Sequence, residues 1–127
     1  MGLYGLRDEE TRGLAMLKIR LTPQAVADLE EVKRYIAEDL SNPQAAMNLV
    51  ALVFEKIRTL ATLPQTGARL KTDTPILKTY RFIPCKNHLV FYRIEENVIS
   101  IIRILYARRD YLGLLETDGD GNKRRER

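Results

Sequence analysis

Residues 86–115 read KNHLVFYRIEENVISIIRILYARRDYLGLL, and this stretch decides the fold. Leu89 to Ile94 and Val98 to Leu105 are apolar runs rich in β-branched and aromatic residues, joined around Glu95-Glu96-Asn97. So short a link predicts an antiparallel pair of strands. Tyr106, Arg108, Arg109 and Tyr111 follow directly, so the strands are scaffold and the basic cluster at their end is the candidate site. Arg103 interrupts the last apolar run. A buried guanidinium without a partner is costly, so Arg103 is expected to reach a carboxylate such as Glu95 or Asp73, a carbonyl cluster or the sheet rim.

Working back from this stretch, Ile76 to Phe82 reads as a further strand, joined to the next around Pro84 to Asn87. Before it lie two helices. Thr22-Pro23 is a helix start, because a threonine oxygen can accept from an orphan backbone donor and proline in the first turn needs none. Ala25, Leu29, Val32, Ile36 and Leu40 then form an apolar stripe, with Asp28, Glu30, Glu31, Lys33 and Arg34 on other faces. Ser41-Asn42-Pro43 starts a second helix, whose stripe is Ala46, Val50, Val53, Ile57 and Leu60. The short connection predicts an αα-hairpin, which Leu63-Pro64-Gln65-Thr66-Gly67 terminates. Leu17 to Leu21 alternates like a strand and can join the later ones. The expected fold is therefore α+β, a small antiparallel sheet in the order β-α-α-β-β-β packed against an N-terminal αα-hairpin. Residues 1–15 are expected to be an extension, either a loose arm or a short helix from Asp8 to Ala15 docked on the domain, residues 16–115 the domain, and residues 116–127 a flexible charged tail.

A chain of 127 residues with 45% hydrophobic content suits one domain. Its net charge of +4 is unevenly spread. Residues 22–62 hold four Lys/Arg against six Asp/Glu, and residues 63–115 hold nine against four. A basic C-terminal half points to an anionic partner, nucleic acid or an acidic protein segment. Cys85 is the only cysteine and His88 the only histidine, so no internal disulfide forms and a zinc site lacks donors. No metal or other cofactor is expected. With neither a signal-like core nor a membrane-length apolar run, a cytoplasmic location is expected.

The opening KIRLTPQAVADLEEVKRYIAE, the link LATLPQTGARL, the strand LVFYRI and above all IIRILYARRDY resemble, in this order, the RelE/ParE superfamily of toxins from bacterial type II toxin–antitoxin modules. The resemblance spans roughly residues 16–115. It implies a toxin that arrests growth when free, is neutralised by a cognate antitoxin, and meets operator DNA only through the antitoxin complex. RelE-like members cleave messenger RNA on the ribosome; ParE-like members poison DNA gyrase on nearly the same fold, so the fold does not choose the target.

Metal-free RNA cleavage needs a base, an acid and positive charge converging on one phosphate. The resemblance puts Arg108 forward as charge stabiliser, with Arg81 at a second basic position. His88 is the candidate acid or base, since imidazole exchanges protons near neutral pH. Lys78, Lys86, Arg109 and Tyr111 are expected to contact RNA or another target, with core packing or antitoxin contact the competing reading of Tyr111. Leu114 departs from the nuclease pattern, which places a tyrosine there. A catalytically degenerate relative, acting only with its antitoxin in complex formation and operator regulation, is the alternative.

Overall fold

The computed structural model describes residues 17–108 and 110–119. Lys18–Leu21 forms β1, and Thr22 ends it by starting α1, Pro23–Arg34: the threonine hydroxyl accepts the Ala25 N–H at 3.1 Å. Asn42 caps α2, Pro43–Thr59, in the same way, accepting from Ala45 at 3.0 Å. Between them, Tyr35–Asp39 is a π-turn, closed by the Leu40 N–H on the Tyr35 carbonyl at 3.0 Å. Its wider winding shifts the helical phase, so Leu40 leaves the apolar stripe on which its spacing had placed it and is 54% exposed.

Five strands form the sheet in the order β1-β5-β4-β3-β2, with β2 at Ala68–Arg69, β3 at Tyr80–Cys85, β4 at His88–Glu95 and β5 at Val98–Tyr106. The meander from β3 to β5 is antiparallel, as expected, and β2, a two-residue strand where only a loop was expected, pairs antiparallel with β3. β1, however, lies parallel to β5, Lys18 opposite Val98 and Leu21 opposite Ile101. The helices explain this. α2 returns the chain to the start of β1, where the Leu17 N–H meets the Ala61 carbonyl at 2.8 Å. β3 therefore sets out in the direction of β1, and two reversals later β5 has that direction again.

The strand expected at Ile76 opens later. Leu77–Thr79 is a 3₁₀ turn, fastened by the Thr79 hydroxyl on the Ile76 carbonyl at 2.7 Å, and pairing begins at Tyr80. On β5, Arg103 lies opposite Phe91 and Ile101 opposite Tyr92, which leaves Ile102 as a bulge.

Each face of the sheet has its own core. On the hairpin side, Ala25, Leu49, Val53, Ile57 and Leu60 pack on Ile83, Val90, Tyr92, Ile99 and Ile101. On the other, Leu70, Leu77, Tyr80, Phe91, Ile102 and Leu105 surround the buried Leu115. Leu115 belongs to α3, Tyr111–Gly119, so residues 116–119 continue a helix where a flexible tail was expected. The Asp110 carboxylate, accepting the Gly113 N–H at 3.4 Å, opens this helix, and burial of Leu115 anchors it. The expected N-terminal extension and the tail from residue 120 lie outside the described residues.

Candidate functional site

The β3–β4 and β5 ends form one tip of the sheet. Lys86, with φ of 57°, and Asn87 make the turn, and the Asn87 carbonyl accepts the Ala107 N–H at 2.8 Å. Lys86, His88, Tyr106 and Arg108 thereby gather at this tip, with Lys86 and Arg108 exposed. Arg109 lies outside the described residues.

His88 pairs across the strands with Tyr106, their rings edge-on with centroids 5.7 Å apart. Its Nδ1 is buried without a hydrogen-bond partner, and burial pulls the pKa below the ordinary 6.5. The ring is therefore neutral at neutral pH. Protonation is easier in the unfolded chain than in the folded one, so the unfolded state binds more protons below about pH 6.5. Folding stability is expected to fall as pH drops through that value. Urea midpoints measured between about pH 5 and 8 should show this slope, and His88→Gln should flatten it. An unchanged slope in the variant would refute the assignment.

Arg81 stands apart from the tip. It lies four residues before Cys85, the partner of His88, which is about 13 Å along the strand. Its Nη1 donates to the Gly67 carbonyl at 2.8 Å and the Gln65 carbonyl at 3.3 Å. Lys78 is exposed in the 3₁₀ turn at this far end of β3. Tyr111, read either as a target contact or as core packing, is half-buried, its ring 5.2 Å from that of Phe91, because Asp110 starts a helix that turns it onto the second core. Leu114 packs there too.

Arg103 finds a partner the sequence reading did not name. Nε donates to Asp28 Oδ2 at 2.7 Å and Nη2 to Oδ1 at 2.9 Å, and Oδ2 also accepts the Ile104 N–H at 2.9 Å. Glu95, proposed for this role, pairs with Arg93 and, at 3.0 Å, with Arg20. Asp73 makes no ion pair among the described residues. β1 ends opposite Ile101, so Asp28 serves a strand edge that β1 no longer covers. In the sequence Asp28 looks like one more acid on a polar helix face. Only the tertiary crossing of α1 over β5 reveals it.

A groove of about 700 Å³ runs between α1 with its π-turn and the tip, lined in part by Tyr35, Asp39, Leu40, His88 and Tyr106. On the outer face of α2, Met47 and Phe54 are 65% and 36% exposed, two turns apart. Among the described residues, no cluster of His, Cys, Asp and Glu side chains could hold a metal ion, and no helix is long and apolar enough to cross a membrane.

A family model described as the ParE toxin of the type II toxin–antitoxin system, parDE, matches residues 19–111. No curated protein matches the chain by sequence. The chromosomal ParDE toxin–antitoxin system from P. aeruginosa contains a chain of similar fold, with a TM-score of 0.62 at 22% identity over 74% of this chain and 99% of that one. The YoeB/ParE toxin from Agrobacterium tumefaciens gives 0.52 at 18% identity, over 71% and 98%. The toxin–antitoxin complex RelBE2 from Mycobacterium tuberculosis gives 0.51 at 19%, over 72% and 98%. At these identities the likeness to solved structures is one of fold.

Proposed function

From the premise that this chain belongs to the ParE toxin family of type II toxin–antitoxin systems, we propose that it arrests growth by binding DNA gyrase, not by cutting messenger RNA. The observation that carries this reading is that the candidate catalytic groups do not all converge: His88 and Arg108 share the tip, while Arg81 lies away from it. Phosphoryl transfer without metal needs its acid, base and charge stabiliser around one phosphorus atom. Here Arg81 is bonded to loop carbonyls about 13 Å along the sheet from His88. His88 itself is a half-buried, neutral ring. Leu114 and Tyr111 both face the apolar core. A toxin that works by binding needs no such convergence.

A cognate antitoxin neutralises it, its acidic residues meeting the tip cations Lys86 and Arg108 and its apolar residues the exposed Met47 and Phe54. Operator DNA is engaged through that complex. Purified toxin is expected to inhibit supercoiling with cleaved DNA accumulating, and to leave ribosome-bound messenger intact. Messenger cut within codons, with gyrase unaffected, would establish the nuclease reading instead. Arg108→Ala should weaken growth arrest on expression without antitoxin while leaving the folding midpoint unchanged, because the side chain is exposed. Growth unaffected by the wild-type protein would point to the degenerate module.

A further inference from the structure

We propose that Arg69 and Arg81 form the centre of a ledge that grips the phosphate backbone of duplex DNA. β2 pairs with β3 so that Arg69 lies directly opposite Arg81. Side chains so related share a sheet face with Cβ atoms roughly 5 Å apart, and like charges there repel. The repulsion is left standing. Neither arginine makes an ion pair among the described residues, and the partners of Arg81, the carbonyls of Gln65 and Gly67, carry no net charge. An arginine pair tolerated without a carboxylate is a site waiting for an anion.

The surroundings extend the charge. Between residues 58 and 86 the chain carries Arg58, Arg69, Lys71, Lys78, Arg81 and Lys86 against Asp73 alone. Arg69, Lys71 and Lys78 are exposed, and so are Gln65, Thr66 and Ala68 between and beside them. The stretch from Gln65 to Lys71 therefore offers cations and small or polar groups, with its one large apolar side chain, Leu70, buried. A protein partner would want an aromatic or aliphatic anchor there. A phosphodiester backbone wants only donors and charge.

The geometry is also held in advance. Tyr92 accepts the Gly67 N–H at 2.9 Å and donates to the Pro64 carbonyl at 2.6 Å, fixing the loop that in turn fixes Arg81. Nε and Nη2 of Arg81 face no described acceptor, and a guanidinium fork suits phosphate oxygens. That the polyanion is DNA, as opposed to RNA, rests on the gyrase reading, in which the toxin sits on an enzyme already wrapped around a duplex.

The test uses the full-length toxin and a short fluorescent DNA duplex followed by anisotropy over a salt series. Arg69→Gln is expected to weaken binding about tenfold and to lower the slope of log affinity against log salt by about one. Arg69→Lys should recover part of the affinity, and Lys33→Gln on the far helix should change nothing. Because it relieves repulsion, Arg69→Gln should also raise the thermal midpoint slightly, which a structural arginine would not do. Unchanged duplex binding, a lowered midpoint, or a loss confined to antitoxin affinity each overturn the ledge. A gyrase assay separates the two proposals. Gyrase poisoned equally by wild type and Arg69→Gln removes the ledge and keeps the target, whereas duplex binding lost in the variant with gyrase untouched by either keeps the ledge and removes the target.

Discussion

Asp28→Ala is expected to cost about 3–5 kcal/mol of folding stability, a large share of what a domain of this size has. Asp28 and Arg103 have side chains only 10% and 12% exposed, and their contact is two-pronged. Removing the carboxylate takes two charged acceptors from a largely desolvated guanidinium and also orphans the Ile104 N–H. The two penalties act together, since one oxygen serves both donors. Asp28→Asn should cost less than alanine, because an amide oxygen can still accept from Ile104. Asp28→Leu with Arg103→Met should recover part of the alanine loss, because it buries no unpaired charge, though Ile104 stays unsatisfied. Urea unfolding of the four proteins decides the matter. If alanine shifts stability by less than about 1 kcal/mol, the pair has the value of a surface bridge and this account of it is wrong.

That pair also marks where reading the chain succeeds and where it stops. Thr22-Pro23 and Asn42-Pro43 announce their helices through local chemistry, and both caps form as the residues require. Of Tyr80, Phe82, Phe91 and Tyr92, legible as sheet-face or core residues, all but the half-buried Phe82 are buried. What local chemistry cannot carry is the result of elements crossing. Asp28 is a polar helix residue until α1 lies over β5. Leu40 fits its stripe until the π-turn changes the winding. The Ile102 bulge shows only once β4 and β5 are set side by side. The parallel pairing of β1 depends on the net direction of two helices. For the candidate site, the residue types were legible and their commitments were not: Arg81 reads as a free cation, but its Nη1 is bonded to two carbonyls, and Tyr111 reads either as a contact or as packing until its helix turns it onto the second core.

Gly67→Ala, the second large effect, should cost about 2–4 kcal/mol, combining overpacking with a lost hydrogen bond. A Cβ at this position would meet the Phe82 carbonyl oxygen at 2.7 Å and the Tyr92 Oη at 2.6 Å. The carbonyl belongs to β3, so it cannot yield without disturbing the sheet. The phenol could swing away only by giving up both the Gly67 N–H and the Pro64 carbonyl. Conformation is not the reason for glycine, since its φ of −72° suits any residue; close approach is. Tyr92→Phe separates the two contributions. It removes the hydroxyl that a new Cβ would strike, so Gly67→Ala should cost less in that background than in the wild type. Because the Gly67 carbonyl accepts from Arg81, the alanine variant should also loosen that guanidinium and weaken duplex binding beyond what its stability loss explains. If urea unfolding shows equal costs in both backgrounds, the Phe82 carbonyl alone excludes a side chain at residue 67, and the tyrosine serves the loop without limiting its neighbour.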